Sequence, residues 1–294
     1  MRIIRYLDAD GQAALAAVND EGKVWRLPLG DFLQIVREAN RQGATPLAYV
    51  QALTEALAPL SQTVDALELL VPIEAPEVWA AGVTYERSRV ARNYEATGGK
   101  MDATTFYDKV YDAERPEIFF KSTAARTVGP GGELHLRSDS HWQIPEPELA
   151  LVLTADGKIQ GYTIGNDMSC RDIEGENPLY LPQAKMWKRS CAIGPAIRLT
   201  DSVADPYNLT IVCRIYRGSE KVFEGTASTG QLKRKLDELV GFLKRDNELF
   251  DGTVLLTGTC VVPPNEFTLA HGDRIEIDIT GIGTLSNPVV LPGT

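Results

Sequence analysis

Residues 144–153 read IPEPELALVL, and the uninterrupted apolar run 149–153 constrains the fold more than any other stretch. A run without polar alternation is a strand covered on both faces, so the chain must supply apolar layers on two sides of it. At the mouth of that strand stand Glu146 and Glu148, each directly after a proline. Side chains two apart in a strand share a face, about 7 Å from each other along it. If that face is wet, the pair are ordinary surface charges. If it is buried, the two charges repel unless something positive lies between them. A hard divalent cation, which favours carboxylate oxygens, is the economical solution.

A chain of 294 residues exceeds the usual domain size, so one large domain with a smaller companion is expected. With 44% hydrophobic and 24% charged residues it has the balance of a soluble globular protein. The net charge of −10, without a long Lys/Arg run, leaves no basic footprint for nucleic acid or an anionic membrane. No apolar run is long enough to span a bilayer and none follows the basic residues of MRIIRYLDADGQ, so a cytoplasmic location is expected. Cys170, Cys191, Cys213 and Cys260 form no CxxC pair and are expected as buried free thiols. His135, His141 and His271 lack the HExxH spacing, so any metal must be held by oxygen.

The first part reads as strands at 3–7, 13–18 and 23–27, then helices at 31–42, with Asp31 as N-cap, and at 46–57. Pro72 and Pro76 mark a boundary, giving a small N-terminal α+β unit, 1–72, and a larger unit, 73–294. The larger unit opens with a strand at 78–83, a polar helix over YERSRVARNYEA and a second helical stretch around 104–111. It then turns strand-rich, at 117–121, 133–136, 149–153, 158–166, 196–199, 209–216, 254–257, 274–279 and 285–291, with one helix expected at 230–243. The fold class is therefore α+β, with a mixed-sheet roll or sandwich in the larger unit. In GYTIGNDMSCRDIEG, 161–175, Asp167 closes an apolar strand. An Asp there serves either as an Asx turn former or as a third acidic ligand, and Asp172 and Glu174 stand near enough to compete.

Several ordered motifs carry a resemblance: Glu146-Pro-Glu-Leu, then GYTIGND with Ser169 and Arg171-Asp172, then Lys185 ahead of Gly194-Pro195. PEIFFKST at 116–123 followed by GPGG, TGT at 257–259 and HGDRIEIDITGIGTLSNPV complete the set. Over residues 75–294 this resembles the core signature of the fumarylacetoacetate hydrolase superfamily, which implies a fumarylacetoacetase-like catalytic domain. The resemblance implies Glu146, Glu148 and Asp167 as ligands of Mg²⁺ or Mn²⁺, Lys185 as the active-site lysine, and Lys121 and Thr257 in the substrate pocket. It also implies a homodimer or homotetramer acting on a small 2-oxoacid. Chelated through its 2-keto and carboxylate oxygens, such an acid has a polarised carbonyl and a more acidic neighbouring C–H. A lysine beside the cation is expected to have a lowered pKa, which suits a base; a solvated surface amine is the plain alternative.

One departure narrows the chemistry. Hydrolytic members carry a histidine three residues after the tyrosine of an Asn-Tyr pair; here Thr84-Tyr85 is followed by Ser88 in the histidine position. Serine cannot activate water unaided, so C–C hydrolysis loses its expected agent. The chain looks most similar to the branch that dehydrates 2-keto-3-deoxy-pentonates to 2,5-dioxopentanoate, through VTYERSRVARNYEA, the length of its N-terminal unit and RPEIFFKST. That resemblance implies Glu117 as an acid/base partner of Lys185, with Ser88 and Arg89 holding the substrate's carboxylate or hydroxyls. The competing expectations are an acylpyruvate-type C–C hydrolase or an isomerase of catechol degradation, which would share the metal site, and a non-catalytic metal-dependent binding module.

Overall fold

The computed structural model describes residues 1–97 and 106–293, so the start of the helix expected around 104–111 lies outside the described residues. Strands β1 (Arg2–Leu7), β2 (Ala13–Val18) and β3 (Val24–Leu27) form an antiparallel meander. Helix α1 (Phe32–Arg41) starts where the Asp31 carboxylate accepts the Gln34 N–H, and α2 (Pro46–Ala56) where Thr45 accepts that of Ala48. Pro46 takes the first helical position, where a missing N–H costs nothing.

The larger unit contributes β4 (Val78–Gly82), α3 (Glu86–Thr97), α4 (Phe106–Asp112) and β5 (Glu117–Ser122). Next come β6 (Pro147–Leu153), β7 (Ile159–Asp167), two short helices α5 (Arg171–Glu176) and α6 (Leu181–Lys185), and β8 (Cys191–Leu199). The chain ends with β9 (Thr210–Arg217), β10 (Glu220–Ser228), α7 (Leu236–Lys244), β11 (Thr253–Thr259), β12 (Asp273–Ile279) and β13 (Gly283–Val290).

Among the described residues the large sheet runs β3-β2-β1-β8-β7-β6-β11-β4-β5, and it is mixed because β11 and β4 run parallel. A second sheet runs β10-β9-β12-β13 and ends on Leu134–His135. The N-terminal meander continues the large sheet, since Arg2 and Ile3 of β1 pair with Arg198 and Ile197 of β8.

Strand β6 is buried along its whole length. Leu149, Leu151 and Leu153 enter a core shared with Ile211 and Cys213 of β9, Ile275 and Ile277 of β12 and Leu239 of α7. Ala150 and Val152 enter the opposite core, which Phe32, Ile35 and Val50 of the N-terminal helices close. The large sheet is thus the middle layer, as the apolar run requires. Truncating a side chain such as Leu151 would cost about 2–5 kcal/mol, because neither layer can collapse into the gap. All four cysteines are free and buried. Among the described residues no helix is long and apolar enough to cross a membrane.

Some boundaries differ from expectation. The helix expected from Gly230 begins only at Leu236; Thr229–Gln231 is a separate 3₁₀ turn, and Leu232 makes a bridge to Tyr85 instead of a helical turn. Glu238 reaches back to the Lys235 N–H, and Tyr207 Oη accepts the Leu236 N–H, which fixes the true start. Strand β8 starts at Cys191, five residues earlier than expected, and β10, α5 and α6 were not expected at all.

Candidate metal centre and active site

The antiparallel register of β6 and β7 assembles the acidic cluster. Pro147 pairs with Asn166 and Glu148 with Gly165, so Glu146 lies opposite Asp167, whose N–H donates to the Glu146 carbonyl at 3.0 Å. Glu146 and Glu148 keep the parity of Ala150 and Val152, and the result is one carboxylate oxygen each from Glu146, Glu148 and Asp167, all within 4.8 Å of one another and all buried. Glu148 sits where the ladder with β11 slips between Glu148 and Ala150, and it accepts the Gly258 N–H at 2.5 Å. Gly258 has φ +99, and a Cβ there would meet Thr84 Oγ1 at 1.9 Å, so this donor needs glycine.

Three buried carboxylates so close together suit a hard divalent cation on chemistry alone. Their electrostatics agree. Burial, then Asp167 and Glu146, push the Glu148 carboxyl well above its ordinary range, against the pull of the Gly258 N–H. Burial works the same way on Glu146, but Lys185, Arg92 and Arg171 outweigh it and bring that carboxyl down to about 2. Linkage then gives opposite signs. Glu146 adds stability above about pH 4.5 that is lost as pH falls towards about 2; Glu148 adds stability below about pH 4.5 that is lost as pH rises through its folded value. In chelator, the melting temperature should therefore drop as the pH rises above about 4.5 by more in the wild type than in Glu148→Gln, and Mg²⁺ should remove the drop. Equal slopes in the two proteins would contradict this.

Lys185 closes α6 and is only 1% exposed, which disposes of the surface-amine alternative. Its Nζ donates to Glu146 Oε2 and to Ser169 Oγ, both at 2.6 Å, and lies 3.2 Å from Asp167 Oδ2. The expected lowering of its pKa is not what this geometry gives. Burial does act to lower it, but Asp167, Glu146 and Glu174 outweigh burial and raise it well above the ordinary value.

Glu117 opens β5 beside Gly82 of β4, where a Cβ would stand 1.8 Å from its Oε2. Its carboxylate Oε2 is buried without a hydrogen bond, 4.0 Å from Arg92 Nη2, and burial raises its pKa against the opposing effect of Arg92 and Lys185. Ser88 lies on α3 and lines the small pocket over the acidic cluster, together with Arg92, Phe119, Lys185 and Thr259.

Three other expected residues sit elsewhere. Arg89, one position along α3 from Ser88, pairs with Asp108 at 2.6 Å and stacks over Tyr111, away from the pocket lining. Thr257 gives its hydroxyl to the Leu149 carbonyl. Lys121 is fully buried behind the cluster, 2.5 Å from Asp167 Oδ1 and donating to the Met168 carbonyl. Two residues the sequence reading did not choose take part instead. Arg92 follows Ser88 by four positions, so helical spacing puts both on one face. Glu174, weighed in the sequence only as a competitor of Asp167, lies 3.2 Å from Lys185 Nζ and 3.3 Å from Arg92 Nη2.

A mixed-sheet fold with this oxygen-only cluster and a buried lysine defines a class, and residues 88–290 match the model of that class, the fumarylacetoacetate (FAA) hydrolase C-terminal domain. The chain belongs to the fumarylacetoacetate hydrolase family. It is 48% identical over 226 residues to the 2-dehydro-3-deoxy-D-arabinonate dehydratase of Saccharolobus solfataricus, spanning 77% of this chain and 76% of that one. It is 49% identical over 219 residues to a probable 2-keto-3-deoxyxylonate dehydratase of Haloferax volcanii, 74% of each chain. The solved structure of 2-keto-3-deoxy-D-arabinonate dehydratase complexed with magnesium and 2,5-dioxopentanoate matches over 100% of both chains, with a TM-score of 0.83 and 38% identity.

Proposed function

We propose that this chain is a hydro-lyase that removes one water from a 2-keto-3-deoxy-pentonate and yields 2,5-dioxopentanoate, with Mg²⁺, or Mn²⁺ in its place, on Glu146, Glu148 and Asp167. The observation that carries the reading is the set of groups facing one small pocket, an acidic triad, the buried Lys185 and Ser88 where a water-activating base would stand, with Glu117 beside Gly82 of its wall. The relatives named above support it, since all three are dehydratases by name, one of them as probable, and one is complexed with magnesium and 2,5-dioxopentanoate.

When bound, the cation supplies a Lewis acid for the 2-oxo group and makes the C3 hydrogens more acidic. The rest falls to the chain. Lys185 stands at the edge of the triad, within reach of a proton next to a chelated carbonyl. Asp167 and Glu146, two of the three carboxylates that raise its pKa, are ones a cation would engage, so a bound cation weakens their hold on the charged amine while burial continues to act against that charge. Glu117, whose pKa is raised by burial, is the candidate to give a proton to the departing C4 hydroxyl. One hydrogen from C5 and the proton of its hydroxyl then leave as C3 and C4 each gain one, which converts the resulting alkenol into the 5-aldehyde. Arg92 and Ser88 offer a cation and a hydroxyl to the substrate's carboxylate and hydroxyls. Residues 73–293 carry all of these groups, while residues 1–72 close the core over Ala150 and Val152, further along the face that carries Glu146 and Glu148. A homodimer or homotetramer in the cytoplasm completes the reading.

Turnover of a panel of 2-keto-3-deoxy-acids, with products identified by mass, tests this function. Loss of 18 mass units from a five-carbon member, the substrate's own water, is the expected result. A panel left untouched while acylpyruvates are cleaved would replace the reading with hydrolysis.

A further inference from the structure

Glu174 is a buried charge that the proposed reaction leaves without a task. Its side chain is 0% exposed, and neither carboxylate oxygen accepts a hydrogen bond. A buried carboxylate in that condition is costly and calls for a reason. Its Oε1 lies 3.2 Å from Lys185 Nζ and 3.3 Å from Arg92 Nη2, so one oxygen touches groups from two different walls of the pocket.

Lys185 has three donor hydrogens. Two are directed at Glu146 Oε2 and Ser169 Oγ, and the third has Asp167 Oδ2 and Glu174 Oε1 at the same distance, 3.2 Å. Of the three carboxylates around the amine, Glu146 and Asp167 belong to the triad, so a cation there draws on the oxygens that now hold Lys185. Glu174 is the remaining one. It is held in place through its helix: α5 is fixed by the Asp172 carboxylate, which accepts from Ser140 Oγ and from the His141 N–H, both at 2.6 Å, and by the Arg171 N–H on the Trp142 carbonyl. Lys185 by contrast hangs from the end of a five-residue helix, and Arg92 from α3.

We propose that Glu174 is a positioning residue, whose Oε1 holds the Lys185 amine and the Arg92 guanidinium in fixed places on the pocket wall when the triad carboxylates are engaged by a cation. This rests on the dehydratase reading for its kinetic consequence and on geometry alone for the placement. A catalytic group that drifts by about 1 Å forfeits much of its rate even when substrate still binds.

The test uses the full chain loaded with Mg²⁺. Glu174→Gln keeps the shape and removes the charge. Its kcat on the deoxy-pentonate should fall by about 30-fold while KM and Mg²⁺ affinity stay within about threefold. In a crystal structure of the same variant with Mg²⁺ alone, Lys185 Nζ should leave the place it has in the Mg²⁺-loaded wild type by about 1 Å or more. The proposal is overturned by a kcat close to that of the wild type, by kcat and KM changing together with a fall in melting temperature, or by an unmoved Lys185. If the wild type itself leaves the deoxy-pentonate unchanged, the dehydratase reading fails, and the crystal comparison alone decides the role of Glu174.

Discussion

Lys185→Met should lower kcat by about a thousandfold, the upper part of the range for losing a positioned proton carrier, while the protein still folds and still binds Mg²⁺. Methionine fills much of the same space without a charge. The loss cannot be passed to the metal, because removing an ammonium 2.6 Å from Glu146 and 3.2 Å from Asp167 takes a competitor away from two ligands. Mg²⁺ titration by calorimetry should therefore give an affinity equal to or above that of the wild type. A variant with kcat intact and KM raised would make Lys185 a binding group and send the search for the base to Glu117.

The second large effect separates two triad members that look alike in the sequence. Asp167→Asn and Glu148→Gln should both abolish activity at millimolar Mg²⁺, because either leaves too few anionic oxygens to compete with water for the ion. Without metal the two should part. Asp167 lies between Lys121 and Lys185, at 2.5 and 3.2 Å, so its loss leaves the buried Lys121 amine without a carboxylate, while Lys185 keeps Glu146 and Glu174, and should cost about 3–5 kcal/mol. Glu148 is held towards its neutral form by burial and by its two acidic neighbours, so Glu148→Gln should leave the metal-free protein as stable as the wild type, or more stable near neutral pH. Thermal melts in chelator read the difference. Equal destabilisation by both substitutions would mean that Glu148 is a charged partner in the metal-free fold.

How much of this was legible in the sequence follows from what each signal depends on. Apolar runs and alternation are local, and they placed β1, β2, β6 and β12 within a residue or two. The two-sided burial of β6 was legible for the same reason, and the parity argument put Glu146 and Glu148 on one face. Strand β10 was missed because it is an edge strand with no fully buried residue, so no apolar face marks it. The helix at 230–243 was drawn too long because Leu232 keeps helical spacing with Leu236 but spends its backbone on a bridge to Tyr85, a contact from far along the chain. The same limit applies in the site. Arg92 was within reach, as Ser88 plus four on a helix, whereas Arg89, the residue expected to hold substrate, is one position from Ser88 and so points to another side of α3. Thr257 and Thr259 share a strand face, and only the slip in the ladder beside Glu148 and the hydrogen bond from Thr257 to Leu149 decide which of them faces the pocket. The role of Glu174 depends on two cations from separate elements meeting at one oxygen, which no spacing rule encodes.

The fate of the carbon chain in D₂O tests the central claim most directly. A 2-keto-3-deoxy-pentonate incubated with the Mg²⁺-loaded protein should give a product one water lighter with all five carbons together. That product should carry solvent deuterium at C3, over and above the washout measured on authentic 2,5-dioxopentanoate. An acylpyruvate run in parallel should come back unchanged, because Ser88 offers no base to activate water. Pyruvate and a carboxylic acid from the acylpyruvate, with the deoxy-pentonate untouched, would contradict the account.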